Sequence, residues 1–587
     1  MRKFIVLDQS LRDLGGHHFD YASQTLRAAK AAGFDVLLAC HRRFQAGAFL
    51  PSGCRVLPLF RHHTYSRYSD FTGIQAILED EQKDSLARRM VDYCKSKLHE
   101  RGREKRVASF AKGCQRMFGS ANIRPGDQIL ATTMSELDLL GLARFLASED
   151  GIPRVDWHLQ FHFNIFAGRE PEYAAQTDRV ERLRSRFHEA LSKATQHRLH
   201  FYNTSDLLAH QYNRLGVASF EPLAYPVNPV FRNRVRNREL THESAIRITC
   251  AGDNRKEKGF TQLNGILADL WDDCFSTSRA QLVVQSRTCD KRQSLQRADW
   301  PVEYASGVSE VQYPLETNQY VDLIRRAGIG LFLYDPRHYY ARRAGILGEF
   351  LTAGVPVIAP AGCWLAEQIA ESVYRYQLEL GDRHGVVARE EVASANWRKQ
   401  GRAESNTVGS DLIFGSTSDA ISTDLACPPG ANQMLVKFRW SAAASAGMYI
   451  QLDTIQRDML DRQIARFSTI VGQGGMKVTP MLVPITDGAT TIEIRWTNAY
   501  HDSLVQVHAV QFDFLATPSN CPLGAVGLIA ANKDQVSLLL RDMISNHEHY
   551  RDSAQQFAED WFQRHDPQAV IQQLLARTSA STLQGAA

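Results

Sequence analysis

Nowhere in this chain do eighteen apolar residues run together, so no segment has the length of a hydrophobic membrane span. An excess of either charge is lacking as well. A formal net charge of +4 over 587 residues is too small for a dedicated nucleic-acid binder, whose basic residues gather on one face. The ten cysteines (Cys40, Cys54, Cys94, Cys114, Cys250, Cys274, Cys289, Cys363, Cys427 and Cys521) form no C-x-x-C pair. They are expected to be reduced, buried small hydrophobes, which fits the cytoplasm. No D-x-D or histidine-rich metal signature occurs, so neither a metal nor a cofactor is expected. The opening run MRKFIVLDQSL reaches Asp8 after a short apolar stretch, without the longer apolar region of a secretory signal, and reads as a first β-strand.

What is present is the composition of a globular protein, 44% hydrophobic and 22% charged, at a length that suggests roughly two to four domains. Apolar runs at 3–8 (KFIVLD) and 35–40 (DVLLAC) flank a helical stretch, 19–33, that closes on Gly33. Strand, helix, strand in that order is a βαβ unit and predicts a parallel sheet in an α/β fold. The pattern recurs at 127–133, 154–163 and 197–205. Between these lies a polar, helix-rich stretch, 76–117, with a basic cluster at 95–116. The cluster reads as a solvated helical face, or as a patch for an anionic membrane surface or an anionic acceptor.

Residues 222–231 (PLAYPVNPVF) carry three prolines in ten positions and read as an interdomain linker. A second βα series opens at 246–252 and continues through 281–286, 327–335 and 355–360. From about 408 to 516 the period falls to two: Met434, Val436, Phe438 and Trp440 alternate with Leu435, Lys437 and Arg439, and Ile492, Ile494 and Trp496 with Glu493 and Arg495. This predicts an all-β sandwich or jelly roll. Residues 525–532 return to α/β character, and two closing helices follow at 533–548 and 550–576, the second interrupted at Pro567. The expected domains are therefore an α/β domain at 1–225, the first part of a second at 226–395, an inserted sandwich at 396–520, and completion of the second with the closing helices at 521–587. Doubly wound halves bind ligands at the C-terminal ends of their strands.

The chemistry gathers in two segments of the second half. In TCAGDNRKEKGFTQL (249–263), Gly252 lets the chain turn at a strand end, and Arg255, Lys256 and Lys258 follow where a helix start also offers free N–H groups. That is a cradle for a diphosphate, or else an exposed polar loop. In the stretch 334–368, a loop with Tyr339, Tyr340, Arg342 and Arg343 leads to Gly345, which opens a helix containing Glu349. A carboxylate in an apolar helix needs a partner. A ribose diol, taken by two hydroxyl hydrogen bonds, is the functional reading; a capped or ion-paired glutamate is the structural one.

These segments resemble the donor domain of GT-B glycosyltransferases, specifically the retaining GT4-like group. The resemblance implies that Lys258 and Arg255 hold the donor diphosphate; the family arginine's usual position here is Asp253. The G-x-x-x-E helix followed by AGVPVIA matches Gly345, Glu349 and Ala353–Ala359, and implies Glu349 on the ribose. Gly252, Gly345, Ile346, Tyr340 and Arg343 are then expected around the donor. The loop DLGGHHFDY matches the family's Gly-rich turn, with Gly15 and Gly16 near the donor phosphates and His17, His18 and Tyr21 on the acceptor side. His158 and His162, at a strand end, stand where the family has a catalytic histidine; a strand histidine is otherwise simply packed. Many members carry a sugar-contacting glutamate eight residues before the ribose-binding one, and here that position is Ala341. Contacts from Tyr339, Tyr340 or Arg343 are the alternatives.

The resemblance covers roughly residues 1–385 and 522–576. It implies a transferase moving a sugar from a nucleotide-sugar donor to a glycan or lipid-linked glycan with retention, in surface polysaccharide synthesis, at the cytoplasmic face of a membrane. The enzyme then works by positioning and by stabilising charge on the leaving diphosphate. The insert resembles carbohydrate-binding modules in general architecture, with Trp440, Tyr449, Trp496 and Tyr500 as candidate stacking residues, although Trp440 and Trp496 fall on the apolar phase. A structural or oligomerisation role is its other reading. The rival functions are a catalytically weak glycan-binding scaffold on a GT-B shell and a sugar-nucleotide epimerase.

Overall fold

The computed structural model describes every residue except 14–16, 46–49, 66–67, 72–85, 149–150, 167–175, 233–244, 254, 287–301, 314, 381–385, 393–395, 402–403, 406–411, 415–419, 443–448, 473–478, 498–504, 517–525, 531 and 585–587. The chain divides into two compact units, one of Met1–Asn228 with Gln563–Ala587 and the other of Pro229–Phe562. The division falls inside the proline-rich run.

Unit 1 holds a seven-stranded, wholly parallel sheet. Its strands are β1 (Lys3–Asp8), β2 (Asp35–His41), β3 (Arg55–Phe60), β4 (Gln128–Ala131), β5 (Asp156–Phe161), β6 (Arg198–Asn203) and β7 (Phe220–Pro222), in the order β3-β2-β1-β4-β5-β6-β7. Central β1 pairs with β2 in the register Phe4 to Val36 and with β4 in the register Phe4 to Gln128. Phe4, Ile5, Val6 and Leu7 are all fully buried, as expected where helices cover both faces of a parallel sheet. The order reverses at β1 and β4, and the crevice beyond such a reversal is where doubly wound folds bind ligands.

The last helix, Pro567–Gln584, joins this unit. Val570, Ile571 and Leu574 pack into the core of Phe4, Val6 and Leu26. The sequence places all of 521–587 with the second α/β half and reads Pro567 as an interruption. Pro567 instead starts a helix, where a missing N–H breaks no helical bond, and the Asp566 carboxylate accepts from the Gln568 N–H at 2.9 Å.

Unit 2 repeats the plan with β8 (Ile246–Cys250), β9 (Ala280–Ser286), β10 (Val308–Gln312), β11 (Ile329–Leu331) and β12 (Val357–Pro360). Between β12 and the last strand of this sheet lies an all-β segment of β13 (Val386–Glu390), β14 (Arg398–Gln400), β15 (Glu404–Ser405), β16 (Leu412–Phe414), β17 (Ala420–Ala426), β18 (Gln433–Ala442), β19 (Tyr449–Arg457), β20 (Gln463–Gly472), β21 (Thr479–Pro484), β22 (Thr491–Thr497) and β23 (Val505–Leu515). The closing strand, β24 (Gly527–Ala530), completes the parallel order β10-β9-β8-β11-β12-β24. Both Rossmann-like halves and the all-β insert expected from the sequence are therefore present.

The insert forms two antiparallel sheets, β15-β16-β23-β18-β21 with β13 on β23, and β14-β17-β22-β19-β20. Phe438 of one sheet meets Trp496 of the other edge-to-face at 4.5 Å. Trp440 and Trp496 are buried in this core, so neither is a surface stacking platform. The side chains of Tyr449 and Tyr500 lie outside the described residues. Leu435 and Lys437, on the other phase of β18, are buried too, because β18 is an inner strand covered on both faces. Lys437 is accommodated by an ion pair to Asp513 at 2.6 Å, which Arg389 also clasps.

Candidate active site

The order of the unit 2 sheet reverses at β8 and β11, and the loops leaving those strands hold the expected donor residues. Gly252 follows β8 with φ +93°. A Cβ there would lie 2.5 Å from both the Lys258 ammonium and the Ile346 Cδ1, so glycine leaves the space in which these two groups meet. Gly259, at φ +73°, sits so close to the chain leaving β11 that a Cβ would fall 2.1 Å from the Leu333 carbonyl oxygen. This close approach turns the loop so that Lys258 points back over the sheet end.

The Lys258 side chain is 6% exposed. Among the described residues no carboxylate pairs with its ammonium, which lies 5.5 Å from the Tyr334 ring centre. Burial, and then the charges of Arg255 and Arg342, push its pKa down to about 8, against the pull of Asp253 and Glu257. Arg255 is half-exposed and pairs with Glu257 at 3.0 Å. The Lys256 side chain and Asn254 lie outside the described residues.

The helix that follows this loop begins at Leu263, after two single-turn segments, so its N-terminus is later than the sequence suggests. The helix start that does reach Gly252 is that of Gly345–Thr352, through Ile346. Its cap, Ala344, supplies no side-chain hydrogen bond, and the space over Gly345 is open. A helix start that no side chain caps, a buried ammonium and a glycine-cleared backbone thus lie together at this sheet end, which is the chemistry of a phosphate cradle.

Glu349, half-buried in the same helix, accepts a hydrogen bond from the Tyr320 hydroxyl of the helix Thr317–Arg325. Tyr340 and Arg343 are nearly buried. Arg343 lies over the rings of Trp364 and Trp561 at 5.3 and 5.9 Å, and the Tyr340 carbonyl accepts from the Trp364 N–H. Both serve the packing of this loop. Ala341 is fully buried. Tyr334, whose ring packs at a tilt on that of Tyr339 with centres 4.5 Å apart, and Tyr320 belong to this site although nothing in their sequence context marks them.

In unit 1, His18 leads from the first turn of the helix His17–Ala31 to Asp8, at the end of β1, with Nδ1 to carboxylate 2.9 Å. Burial alone would raise the Asp8 pKa. The His18 contact, the Ser10 N–H and the Thr132 hydroxyl hold it below the usual carboxylate range. Tyr65 reaches His18 Nε2 at 3.3 Å. His162, at the end of β5, bonds to the Thr132 carbonyl, and its ring lies 6.4 Å from that of Tyr21, which packs on Tyr225. His18, His162 and Tyr21 therefore gather at the strand reversal. Gly15, Gly16 and the His17 side chain lie outside the described residues.

His158 does not join them. It is fully buried in the sheet, with Nε2 on Gln128 at 2.9 Å and Nδ1 on the Tyr202 hydroxyl at 3.2 Å, and it stacks on His200. Burial, and then His200, push its pKa down to about 3. It is a packed core histidine that a substrate does not reach.

The basic cluster at 95–116 lies on the helix Leu86–Ala121. Arg103 pairs with Asp70 at 3.0 Å and Arg106 donates to the His63 carbonyl, while Arg101, Lys105, Lys112 and Arg116 are exposed. Among the described residues no helix is long and apolar enough to cross a membrane, and no cluster of possible metal ligands occurs.

No family model matches the chain, and no curated protein matches it. Solved structures do. The chain is similar to the N-terminal domain of trehalose-6-phosphate phosphatase from Candida albicans, at 13% identity over 63% of this chain and 85% of that one, with a TM-score of 0.42. It is similar to AviGT4, a glycosyltransferase involved in avilamycin A biosynthesis, at 12% identity over 64% and 82%, TM-score 0.35. A trehalose-6-phosphate structure from E. coli bound with UDP-2-fluoro glucose gives 10% identity over 63% and 86%, TM-score 0.42.

Proposed function

We propose that this protein is a nucleotide-sugar-dependent glycosyltransferase whose donor diphosphate sits on Lys258. The observation that carries the reading is the convergence of Gly252, Lys258 and the open helix start at Gly345 on the strand reversal of unit 2. In this reading Lys258 and Arg255 balance the diphosphate charge as the bond to the sugar breaks. A buried cation that needs no reorganisation at that moment is the most effective stabiliser available. Glu349 exchanges its Tyr320 hydrogen bond for the ribose hydroxyls. His18, His162 and Tyr21 line the acceptor side in unit 1. The GT4-like resemblance supports transfer with retention, and a glycan or lipid-linked glycan as acceptor in surface polysaccharide synthesis at the cytoplasmic membrane face.

The test is a melting screen of the full chain against nucleoside diphosphates and nucleotide sugars, followed by transfer assays. A ligand at a hundred times its dissociation constant adds about 2.7 kcal/mol to stability. Stabilisation by one nucleotide series, abolished by Lys258→Ala and weakened by Glu349→Ala, supports the reading; indifference to every nucleotide sinks it. The buried Ala341, where a sugar-contacting glutamate is usual, favours one second reading, a scaffold that binds nucleotide or glycan without turnover. Nucleotide binding without transfer across a donor panel would select it.

A further inference from the structure

Unit 1 carries a second concentration of charge that the donor reading does not use. Arg12 lies on the loop after β1 and His62 and His63 on the loop after β3, while Arg106 comes from the long helix. The Thr64 N–H ties the two loops together by donating to the Ser10 hydroxyl at 3.0 Å, and Arg106 ties the helix to the second loop by donating to the His63 carbonyl. The half-buried Arg12 guanidinium makes no hydrogen bond or ion pair among the described residues, and its Nε is shielded from solvent without a partner. Among the described residues, the charges that act most strongly on His63 are positive. Burial, and then Arg12, Arg106, His41 and His62, push its pKa down to about 4. Lys105 and Arg42 add to the same field at His62.

The neighbouring groups offer little relief. His41 spends both ring nitrogens, on the Arg61 carbonyl and the Arg43 N–H. Asp138 is the carboxylate that acts on Arg106, but it already accepts from the Ser135 N–H and hydroxyl and from the Thr64 hydroxyl. Arg103, on the same helix, shows the ordinary solution, a carboxylate at 3.0 Å. A guanidinium cannot shed its proton, so withdrawing two of them from water side by side is unfavourable until an anion arrives. Next to this cluster the Tyr65 ring stands 6.2 Å from His63 and 5.8 Å from His18, an aromatic wall of the kind on which a sugar ring packs.

We propose that Arg12 after β1, the stretch His62–Tyr65 after β3 and Arg106 form a receiving site for an anionic group, phosphoryl or carboxylate, carried by the acceptor sugar. Arg12 and Arg106 clasp the anion, and Tyr65 lies against the sugar. As an acceptor site it rests on the glycosyltransferase reading; as an anion site it stands without it.

The test is calorimetric titration of the full chain carrying Lys258→Ala, which silences the donor cradle. The probes are inorganic phosphate, glucose 6-phosphate, glucuronate and glucose. Expected is binding of at least one of the three anions, ten or more times tighter than glucose and weakening as salt rises. Arg12→Gln and Arg106→Gln should each weaken it tenfold or more, with Arg12→Lys closer to the parent. Arg116→Gln, exposed on the same helix, should leave it unchanged. A preference between glucose 6-phosphate and glucuronate names the group. If none of the three anions binds, or if Arg12→Gln and Arg106→Gln bind like the parent while melting normally, the proposal is overturned. Nucleoside diphosphate binding by the wild-type chain is scored separately. If it persists when the anion arm fails, the donor reading stands; if it is absent while Arg12-dependent anion binding holds, only the glycosyltransferase reading falls.

Discussion

An ammonium that is 6% exposed and faces a tyrosine ring has lost its hydration without gaining a carboxylate among the described residues. The folded chain therefore holds the Lys258 proton only to about pH 8, whereas an ordinary lysine, as in the unfolded chain, holds it to 10.5. Between those values folding expels a proton, so this residue's contribution to stability rises with pH across the window. An anionic ligand reverses the preference, since it favours the charged form. The affinity for a nucleoside diphosphate should accordingly fall by up to about tenfold per pH unit above pH 8. Titrations from pH 7 to 9.5 check this; a flat profile in wild type, or the same slope in Lys258→Met, would remove Lys258 from the diphosphate. His158 supplies the contrast. His158→Ala strands Gln128 and Tyr202 inside the sheet and should cost about 1–3 kcal/mol in denaturant melts, with nucleotide binding intact. Lost binding in a variant of unchanged stability would return His158 to the site.

Elements were legible in proportion to their burial. The runs KFIVLD, DVLLAC and QLVVQS are inner strands covered on both faces, and their continuous apolarity announces them. In the two parallel sheets the strands without a signal are β3, β7 and β10, and all three are sheet edges. An edge strand has a neighbour on one side only and tolerates polar or ring-closed residues: β3 contains Pro58, β7 ends on Pro222, and β10 reads VSEVQ. The same logic governs the site. Lys258 and Glu349 stand in readable βα segments, whereas Tyr320 and Arg12 acquire their places only when distant elements pack together. In the sandwich the apolar phase of β18 and β22 was readable, and it makes Trp496 a core residue rather than a glycan platform. Trp496→Ala should cost about 3–5 kcal/mol, seen as raised hydrogen exchange in β18 and β22. A near-neutral effect with loss of glycan binding would show the reverse.

At the scale of the whole chain, sequence order and structural membership part company at the C-terminus. The helix Pro567–Gln584 is separated from unit 1 by all of unit 2, yet it lies against the helix His17–Ala31 and completes the core around β1. Leu574 is fully buried there, so Leu574→Ala removes apolar contact from a site that cannot close without moving a sheet strand. The expected loss is about 2–5 kcal/mol. Its location is the sharper part of the prediction. Amide exchange should accelerate in β1, β2 and the helix His17–Ala31, more than five hundred positions away in sequence. The strands β8, β11 and β12, although nearer along the chain, should keep their protection, because stability is lost in the cooperative unit that owns the cavity. Faster exchange confined to β8, β11 and β12 would assign this helix to unit 2. Because His18 sits in the helix that Leu574 supports, the variant should also weaken acceptor-side binding while leaving nucleotide binding at Lys258 unchanged.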